Sequence, residues 1–136
     1  MAMILLVGSD PALLEGMVQS LVALGHTPRV AASFADAIDA AASSAPIVAV
    51  VERRLALDAP EVTRLPLAAG GALVLYHLAG ESPQAMPSAL QRMILADLAL
   101  PLERHRLAAL IQSVETRARH VGRGREEGEE MTQTDG

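Results

Sequence analysis

The run IVAVV at residues 47–51, followed at once by Glu52, is the clearest strand in the sequence of 136 residues. Its residues are apolar without alternation and mostly β-branched, which is typical of a strand that is covered on both faces. Strands of this kind lie in parallel sheets, where crossover helices cover both faces of the sheet. The run therefore predicts an α/β protein in which Glu52 stands where a buried strand leaves the sheet.

Four weaker runs accompany this strand. Residues 3–7 (MILLV) are continuously apolar and stop at Gly8, so they suit a second strand that is buried on both faces. A proline in the run at 27–31 favours an edge position, because proline cannot donate a hydrogen bond to a neighbouring strand. The five predicted strands cover residues 3–7, 27–31, 47–51, 72–76 and 94–99.

Cap residues and helical spacing predict the segments between the strands. Either Ser9 or Asp10 can cap a first helix that has Pro11 at its first position. Gly25 suits the end of that helix, and Ser33 suits the start of a second one. Prolines leave room only for short helices in the third and fourth crossovers. Strands that alternate with crossovers in this order predict a parallel sheet with right-handed connections.

The end of the chain changes character. A last helix is predicted over residues 102–119, with leucine, isoleucine and valine on one face. Residues 120–136 are charged or polar with almost no apolar content, and such a segment cannot bury enough surface to fold. We therefore expect one folded domain at residues 1–119 and a disordered charged tail at residues 120–136.

Composition excludes several kinds of chemistry. The chain has no cysteine and no lysine, so all 11 basic residues are arginines. Disulfides, thiolate nucleophiles, zinc–cysteine sites, Schiff bases and a phosphate-loop lysine are therefore excluded. The net charge of −5 argues against a nucleic-acid partner. No apolar run approaches the roughly 20 residues of a membrane span, and we expect a cytoplasmic protein without membrane contact.

Four blocks, in this order, resemble the receiver (CheY-like) domain of two-component response regulators over roughly residues 3–118. Residues 4–11 are similar to the family's opening strand, and residues 47–52 to the strand that carries the phosphoacceptor aspartate. Residues 73–77 are similar to the strand that ends in a small hydroxyl residue, and residues 98–101 to the strand that ends in a lysine–proline pair. The resemblance implies a flavodoxin-like fold with strand order 2-1-3-4-5 and shortened third and fourth helices.

The residues that carry the family's phosphoryl chemistry are replaced in this sequence. In the family, two acids help to hold Mg²⁺, an aspartate accepts the phosphoryl group, a Thr or Ser contacts it and a lysine pairs with it. An aromatic residue in the fifth strand belongs to the same switch. By resemblance, the vestigial phosphorylation pocket consists of Gly8 and Ser9 at the acidic pair, Asp10 as the remaining acid, Glu52 at the phosphoacceptor position, His77 (or Tyr76, one residue earlier) at the hydroxyl position, Leu100 at the lysine position and Pro101 at the proline. Asp97 aligns with the aromatic position of the fifth strand.

The missing lysine is independent of the alignment. A shifted register could move another residue into the position of Leu100, but the chain has no lysine to move there. The register at Glu52 is also fixed, because no aspartate lies between Asp39 and Asp58. A conventional phosphoryl switch is therefore not expected.

Three positions keep alternative interpretations. Glu52 is a residual phosphoacceptor, a fixed negative charge that imitates the phosphorylated state, or a polar residue at a strand end. Asp10 and Glu52 are weak candidates for binding Mg²⁺, but Asp10 is also explained as a helix cap. His77 lies at the carboxyl end of a strand, where open α/β sheets place ligands, and it could contact Glu52. We expect no bound metal and no other cofactor.

The resemblance and its departures predict a stand-alone pseudo-receiver that is not an enzyme. It is expected to act by contact with a signalling protein, without phosphorylation. By resemblance, it would form a homodimer through the fourth helix, the fifth strand and the last helix, where Met86, Met93 and Leu102 are candidate exposed apolar residues. The alternatives are a module that responds to a small ligand in the vacated pocket around Gly8, Ser9, Glu52 and His77, and a residual phosphoacceptor receiver.

Overall fold

Five parallel strands and five α-helices alternate in the described part of the chain. The computed structural model describes residues 3–59, 62, 64–78, 80, 81 and 85–135, with side chains as far as Arg119. The strands are β1 (Met3–Val7), β2 (Thr27–Ala31), β3 (Val48–Glu52), β4 (Ala72–Leu78) and β5 (Ile94–Leu100). The helices are α1 (Pro11–Ala23), α2 (Phe34–Ser43), α3 (Arg53–Asp58), α4 (Ser88–Met93) and α5 (Arg104–Asp135).

The strands form one sheet in the order β2-β1-β3-β4-β5, and all neighbouring pairs are parallel. The predicted order and strand direction are confirmed. β1 and β3 lie inside the sheet, and their continuous apolar runs are buried, as the absence of alternation predicted. β2 lies at one edge, where Pro28 is tolerated, and β5 lies at the other.

Each face of the sheet carries its own apolar core. Residues of α1 and α5 pack on one face, against side chains such as Leu6, Val50 and Tyr76. Residues of α2, α3 and α4 pack on the other face, against side chains such as Val7 and Leu75. Successive residues of a strand point to opposite faces, so neighbours in sequence such as Tyr76 and Leu75 enter different cores. This alternation also divides the polar residues at the strand ends.

The predicted caps of α1 and α2 are present, and Asp10 is the residue that caps α1. Asp10, rather than Ser9, caps α1: its Oδ1 accepts hydrogen bonds from the backbone N–H groups of Ala12 at 3.1 Å and Leu13 at 3.2 Å. The hydroxyl of Ser33 accepts from the backbone N–H of Asp36 at 3.2 Å and caps α2. α3 and α4 have six residues each, so the predicted shortening of the third and fourth helices is confirmed.

The last helix differs from its prediction at both ends. Leu102 was expected on its apolar face, but it precedes Arg104, the first residue of α5, and is 71% exposed. At the other end α5 continues through residues 120–135, where a disordered tail was expected. Arginine, glutamate, methionine and glutamine in this segment have high helix propensity, and a helical backbone needs no apolar partner to satisfy its hydrogen bonds. The division of the chain at residue 119 stays a prediction.

Candidate functional site

Glu52 and Ser9 are joined at the carboxyl edge of the sheet, where β1 and β3 end side by side. The backbone N–H of Ser9 donates to Oε2 of Glu52 at 2.8 Å. The Ser9 hydroxyl lies 2.8 Å from the same oxygen and 3.2 Å from Oε1. The Glu52 carboxylate is therefore held by donors of Ser9, two residues after the end of β1, as the adjacency of β1 and β3 in the sheet allows.

Tyr76 fills the space beside this pair. The sheet register places Tyr76 directly opposite Glu52, and the tyrosine is only 1% exposed. A Cβ atom added at Gly8 would lie 1.9 Å from the Tyr76 hydroxyl, well inside van der Waals contact. A residue larger than glycine therefore does not fit at position 8, which was predicted to replace an acid of the resembled family, because the phenol of Tyr76 occupies the volume of its side chain. We call Gly8, Ser9, Glu52 and Tyr76 the Glu52 cluster.

The Tyr76 hydroxyl is a buried polar group without a hydrogen-bond partner among the residues that the structure describes. Burial raises its pKa, because the phenolate would lose its solvation, and the negative charges of Glu52 and Asp10 raise that pKa further. The hydroxyl therefore stays protonated over the whole physiological range. A buried donor without a partner costs about 1–3 kcal/mol, which burial of the phenol ring must offset.

His77 points away from Glu52, to the opposite face of the sheet. It was expected as a possible contact of Glu52, but Tyr76 takes that place because the two faces alternate along β4. The Nδ1 atom of His77 lies 3.2 Å from Oδ1 of Asp97 in β5. The prediction of a His77–Glu52 contact is therefore wrong, and of the two candidates for the hydroxyl position it is Tyr76 that faces Glu52.

The carboxylate of Asp97 contacts the side chains of both His77 and Arg53. Its Oδ1 faces His77, and its Oδ2 accepts a hydrogen bond from the Arg53 guanidinium. The exposed fractions of the three side chains are 12% for Arg53, 22% for His77 and 23% for Asp97, so the ion pair is partly shielded from water. We call these three residues the Asp97 cluster. It connects α3, β4 and β5 on the face opposite Tyr76.

Leu100, which was predicted to stand at the lysine position of the resembled family, belongs to the apolar core. Leu100 is 1% exposed and packs in the core beneath α1 and α5. Pro101 follows on the surface through a cis peptide bond. The nearby carboxylate of Glu103 accepts from the backbone N–H of Ala99 at 2.8 Å and from Arg106 at 2.9 Å, and these bonds lower its pKa. The seven predicted pocket residues therefore differ in their surroundings, since Leu100 is buried in an apolar core and Pro101 lies on the surface.

The donor set suits Mg²⁺ poorly, because this ion prefers several oxygen ligands in octahedral geometry. Asp10 and Glu52 were the weak candidates. Asp10 caps α1, Glu52 is bound by Ser9, and Tyr76 lies over Gly8 in place of a further acid. Within the described ranges, no group of three His, Asp or Glu side chains is placed to hold a metal ion.

A groove of about 520 Å³ begins at Gly8 and Ser9 and runs between α1 and β2. Leu14, Val18 and Val30 form most of its apolar wall. Neither Glu52 nor His77 lines it, so the four residues suggested for a vacated ligand pocket do not share this groove. The space next to the strand ends therefore opens toward the β2 edge.

Arg53 is the functional residue that sequence reasoning missed. A short arginine pair such as Arg53-Arg54 is most simply interpreted as solvated. Arg54 is 65% exposed and fits that interpretation, but Arg53 is 12% exposed and binds Asp97. The available signal was position: Arg53 directly follows a buried strand and Asp97 interrupts an apolar one, and a charge in such a place needs an opposite charge nearby.

No protein-family model matches the chain, and no curated protein sequence matches it. Solved structures do. A response regulator receiver domain (CheY-like) from Methylobacillus flagellatus has 18% sequence identity and a TM-score of 0.68 over 84% of this chain and 98% of that one. A two-component response regulator from Clostridium difficile has 18% identity and a TM-score of 0.69 over 86% and 98%. The pseudo-receiver domain of CikA has 19% identity and a TM-score of 0.62 over 84% and 97%.

These similarities establish the fold as the flavodoxin-like fold of receiver (CheY-like) domains. The predicted fold class is thereby confirmed by the strand order and by the similar solved structures together. Identities of 18–19% show no more than the fold, so the chemistry must be argued from the two clusters. No helix in the part of the chain described here is both long and apolar enough to cross a bilayer.

Proposed function

We propose that this chain is a pseudo-receiver: a cytoplasmic signalling module of the two-component type that acts by protein–protein contact, without phosphorylation and without catalysis of its own. The observation that carries the proposal is the closed Glu52 cluster. Ser9 binds the carboxylate at the phosphoacceptor position, and Tyr76 fills the space of the missing acid. The proposal includes the absence of bound Mg²⁺ and of any other cofactor.

The charges around Glu52 support the same proposal. A phosphoryl group on this side chain would need cations to offset its charge. The chain has no lysine, and the nearby Arg53 is engaged by Asp97 on the other face of the sheet. The close electrostatic neighbours of the buried Tyr76 hydroxyl are instead carboxylates, Glu52 first and Asp10 after it. These carboxylates would repel any further negative charge placed beside Tyr76.

The surface proposed for contact is the β5 edge with the ends of α4 and α5. Met93 is 51% exposed, Leu95 is 40% exposed and Leu102 is 71% exposed. Leu95 is the extra residue of a bulge, since Leu73 pairs with Ile94 and the next residue of β4 pairs with Ala96. Met86 was expected on this surface, but it is half-buried against the core beneath α2 to α4. We propose that a second copy of the chain covers the three exposed side chains.

Light scattering after size exclusion tests both parts of the proposal. We expect a dimer, with the same mass in the presence and absence of acetyl phosphate and Mg²⁺. Leu102→Ser should shift the protein toward monomer, whereas Leu24→Ser, at an equally apolar and 56% exposed position on the β2 side, should leave the dimer intact. A monomer at high concentration would contradict the dimer, and a dimer that forms only with the phosphodonor would contradict independence from phosphorylation.

The groove beside Gly8 and Ser9 favours a second candidate function, a response to a small apolar ligand. Its volume of about 520 Å³ lies within the range of small-molecule sites, and its wall is mostly apolar. A bound ligand would stabilise the protein by RT ln(1 + [L]/Kd), which a thermal-shift screen of metabolites detects. If a hit loses its effect in Val18→Asp and keeps it in Gln19→Asp, on the exposed side of α1, the groove is its site. A screen without hits would remove this candidate.

A further inference from the structure

The outer edge of β2 is the edge of the sheet that lies opposite to β5. Within the described part of the chain, β2 pairs with β1 alone. The carbonyl of Ala31 accepts a hydrogen bond from the backbone N–H of Gly8 at 3.2 Å, so the backbone groups of Ala31 point toward β1. Backbone groups alternate in direction along a strand, and those of Pro28 and Val30 therefore point outward. An edge of this kind is a template for a further strand.

The same edge opens into the apolar groove beside Gly8 and Ser9. Val30 lines this groove from β2 and is 49% exposed, while Leu14 and Val18 line it from α1. Paired residues of neighbouring strands direct their side chains to the same face of a sheet. A strand added beside Val30 would therefore direct alternate side chains toward α1. Outward backbone groups beside an apolar groove suit an extended peptide.

The charge of the groove wall favours a basic occupant. Among the described residues that line the groove, only Glu15 is charged, and it is exposed. Ser9 at the end of the groove binds a second carboxylate, that of Glu52. Arg29 is the basic residue of β2, but it alternates with Val30 and so faces the opposite side of the sheet. A peptide with its own basic residue would complement these carboxylates.

A second copy of the chain suits this edge less well than a different protein. Pro28 has no N–H, so pairing between two β2 strands would leave a carbonyl without its donor. Two copies would also place a Glu15 from each chain at the groove, with no basic residue of α1 or β2 on that face. The occupant is therefore argued to be a partner protein.

We propose that the β2 edge and its groove bind an extended segment of the signalling partner, in which apolar side chains alternate and a basic residue flanks them. This inference rests on the proposed action by protein–protein contact. It adds a second surface, on the edge of the sheet that the proposed dimer does not use. Light scattering measures the dimer separately, so failure of the peptide site and failure of the β5 contact are distinguishable.

Titration of the wild-type chain with the peptide acetyl-Arg-Val-Thr-Val-Thr-Val-Arg-amide, followed by backbone amide NMR signals, tests the proposal. The signals of Val18 and Val30 should shift with a common dissociation constant. The same peptide with glutamate in place of both arginines should bind at least tenfold more weakly, because Glu15 repels it. Equal affinity of the two peptides, equal affinity of N-acetylvaline amide, or shifts confined to other regions would overturn the proposal.

Backbone pairing has its own signature. In an added strand only alternate N–H groups of the peptide face β2. N-methylation of the central valine and N-methylation of the threonine after it should therefore differ: one should weaken binding roughly tenfold and the other less than about twofold. Equal effects of the two methylations would overturn pairing with the β2 edge.

Matched variants of the protein locate the contact. Val30→Pro removes an outward N–H that β1 does not use, and it should weaken peptide binding roughly tenfold, whereas Val30→Thr keeps the N–H and should change it less than about twofold. The amide spectrum without peptide shows whether each variant is folded. If Val30→Pro does not fold, Glu15→Arg replaces it and should reverse the preference between the two peptides. Wild-type binding in the folded variant would overturn the proposal, as would self-association that Val30→Pro abolishes.

Discussion

The Glu52 cluster and the Asp97 cluster lie at the same edge of the sheet, on opposite faces, and they are stabilised in different ways. In the first, a neutral phenol fills space and an exposed serine binds a carboxylate. In the second, a carboxylate joins an arginine and a histidine that are both mostly buried. The sequence pattern indicated the members of the first cluster, with Tyr76 as the alternative to His77, but it did not connect Arg53 with Asp97 in the second. The Glu52 cluster therefore depends mainly on steric fit, and the Asp97 cluster on the other face of the sheet depends on charge pairing.

The two clusters also assign separate roles to neighbouring residues. Glu52 ends β3 and belongs to one cluster, while Arg53 begins α3 and belongs to the other. Tyr76 and His77 are divided in the same way along β4. In a receiver fold that switches, this edge is where a signal would be read, and here both faces are occupied by contacts within the chain. The following changes separate the steric from the electrostatic contribution.

The largest effect is expected for Gly8→Ala. Its Cβ atom would lie 1.9 Å from the Tyr76 hydroxyl, and the fully buried ring has little room to move. Overpacking of this kind should lower the free energy of unfolding by about 3 kcal/mol, measured by urea denaturation. Gly16→Ala is the control, since a Cβ atom there has no neighbour within 4 Å, and it should stabilise α1 by about 0.5–1 kcal/mol. Equal free energies of unfolding for Gly8→Ala and Gly16→Ala would contradict a steric clash between residue 8 and Tyr76.

Asp97→Asn should have the next largest effect. It removes the charge that Arg53 and His77 share while keeping the shape of the side chain, and it should cost about 2 kcal/mol of unfolding free energy. Glu81→Gln provides a matched control, because its ion pair with Arg54 has a distance of 3.5 Å and is largely exposed. That change should cost less than about 0.5 kcal/mol. Similar losses in both variants would mean that the Asp97 cluster is an ordinary surface pair.

Tyr76→Phe should increase stability, because it keeps the ring and removes a buried hydroxyl without a partner. The expected gain is about 1 kcal/mol near neutral pH. The raised pKa of Tyr76 means that the unfolded chain releases its proton first, near pH 10.0. The difference between the two pKa values therefore leaves the free energy of unfolding unchanged below that pH and lowers it as the pH rises above it.

The alkaline behaviour can be measured cleanly in this chain. Tyr76 is its only tyrosine, and it has no lysine or cysteine to titrate in the same range. Urea unfolding of the wild type should show a fall in free energy from about pH 10 upward, whereas Tyr76→Phe should stay level over that interval. If the free energy of unfolding depended on pH in the same way in both proteins, the burial of the Tyr76 phenol would be contradicted.

Ser9→Ala should have the smallest effect. It removes the hydroxyl that binds Glu52 but leaves the backbone N–H bond, and Ser9 is exposed. The expected loss is about 0.5 kcal/mol, well below that of Asp97→Asn. Thermal unfolding of the two variants side by side gives the comparison. A larger loss for Ser9→Ala would mean that the serine–glutamate bond, rather than the phenol, closes the Glu52 cluster.

Much of the fold could be predicted because it depends on local patterns. The unbroken apolar runs at β1 and β3 indicated a parallel sheet, and the sequence around Asp10 and Pro11 indicated the start of α1. The course of α5 through residues 120–135 was not anticipated, since apolar content was weighed above helix propensity. Leu102 was assigned to the helix because leucine suits an apolar face, yet it lies before the first turn.

The site was harder to predict because it depends on faces and on distant pairs. A shift of one residue along β4 exchanges Tyr76 for His77 and moves the side chain to the other side of the sheet. Arg53 and Asp97 are 44 residues apart, and nothing local in the sequence connects them. The assignment of Gly8, Glu52 and Leu100 to replaced family positions stays a prediction, and the steric reason for the glycine is visible only beside the phenol ring.

The central claim is that Glu52 does not accept a phosphoryl group. Its most direct test is intact-mass spectrometry of the full chain after incubation with acetyl phosphate and Mg²⁺, together with an assay of acetyl phosphate consumption. A conventional receiver domain serves as the positive control, and Glu52→Gln as the negative one. If the claim is correct, the mass is unchanged and acetyl phosphate consumption does not exceed the Glu52→Gln background. A mass increase of one phosphoryl group, or consumption that Glu52→Gln abolishes, would contradict it.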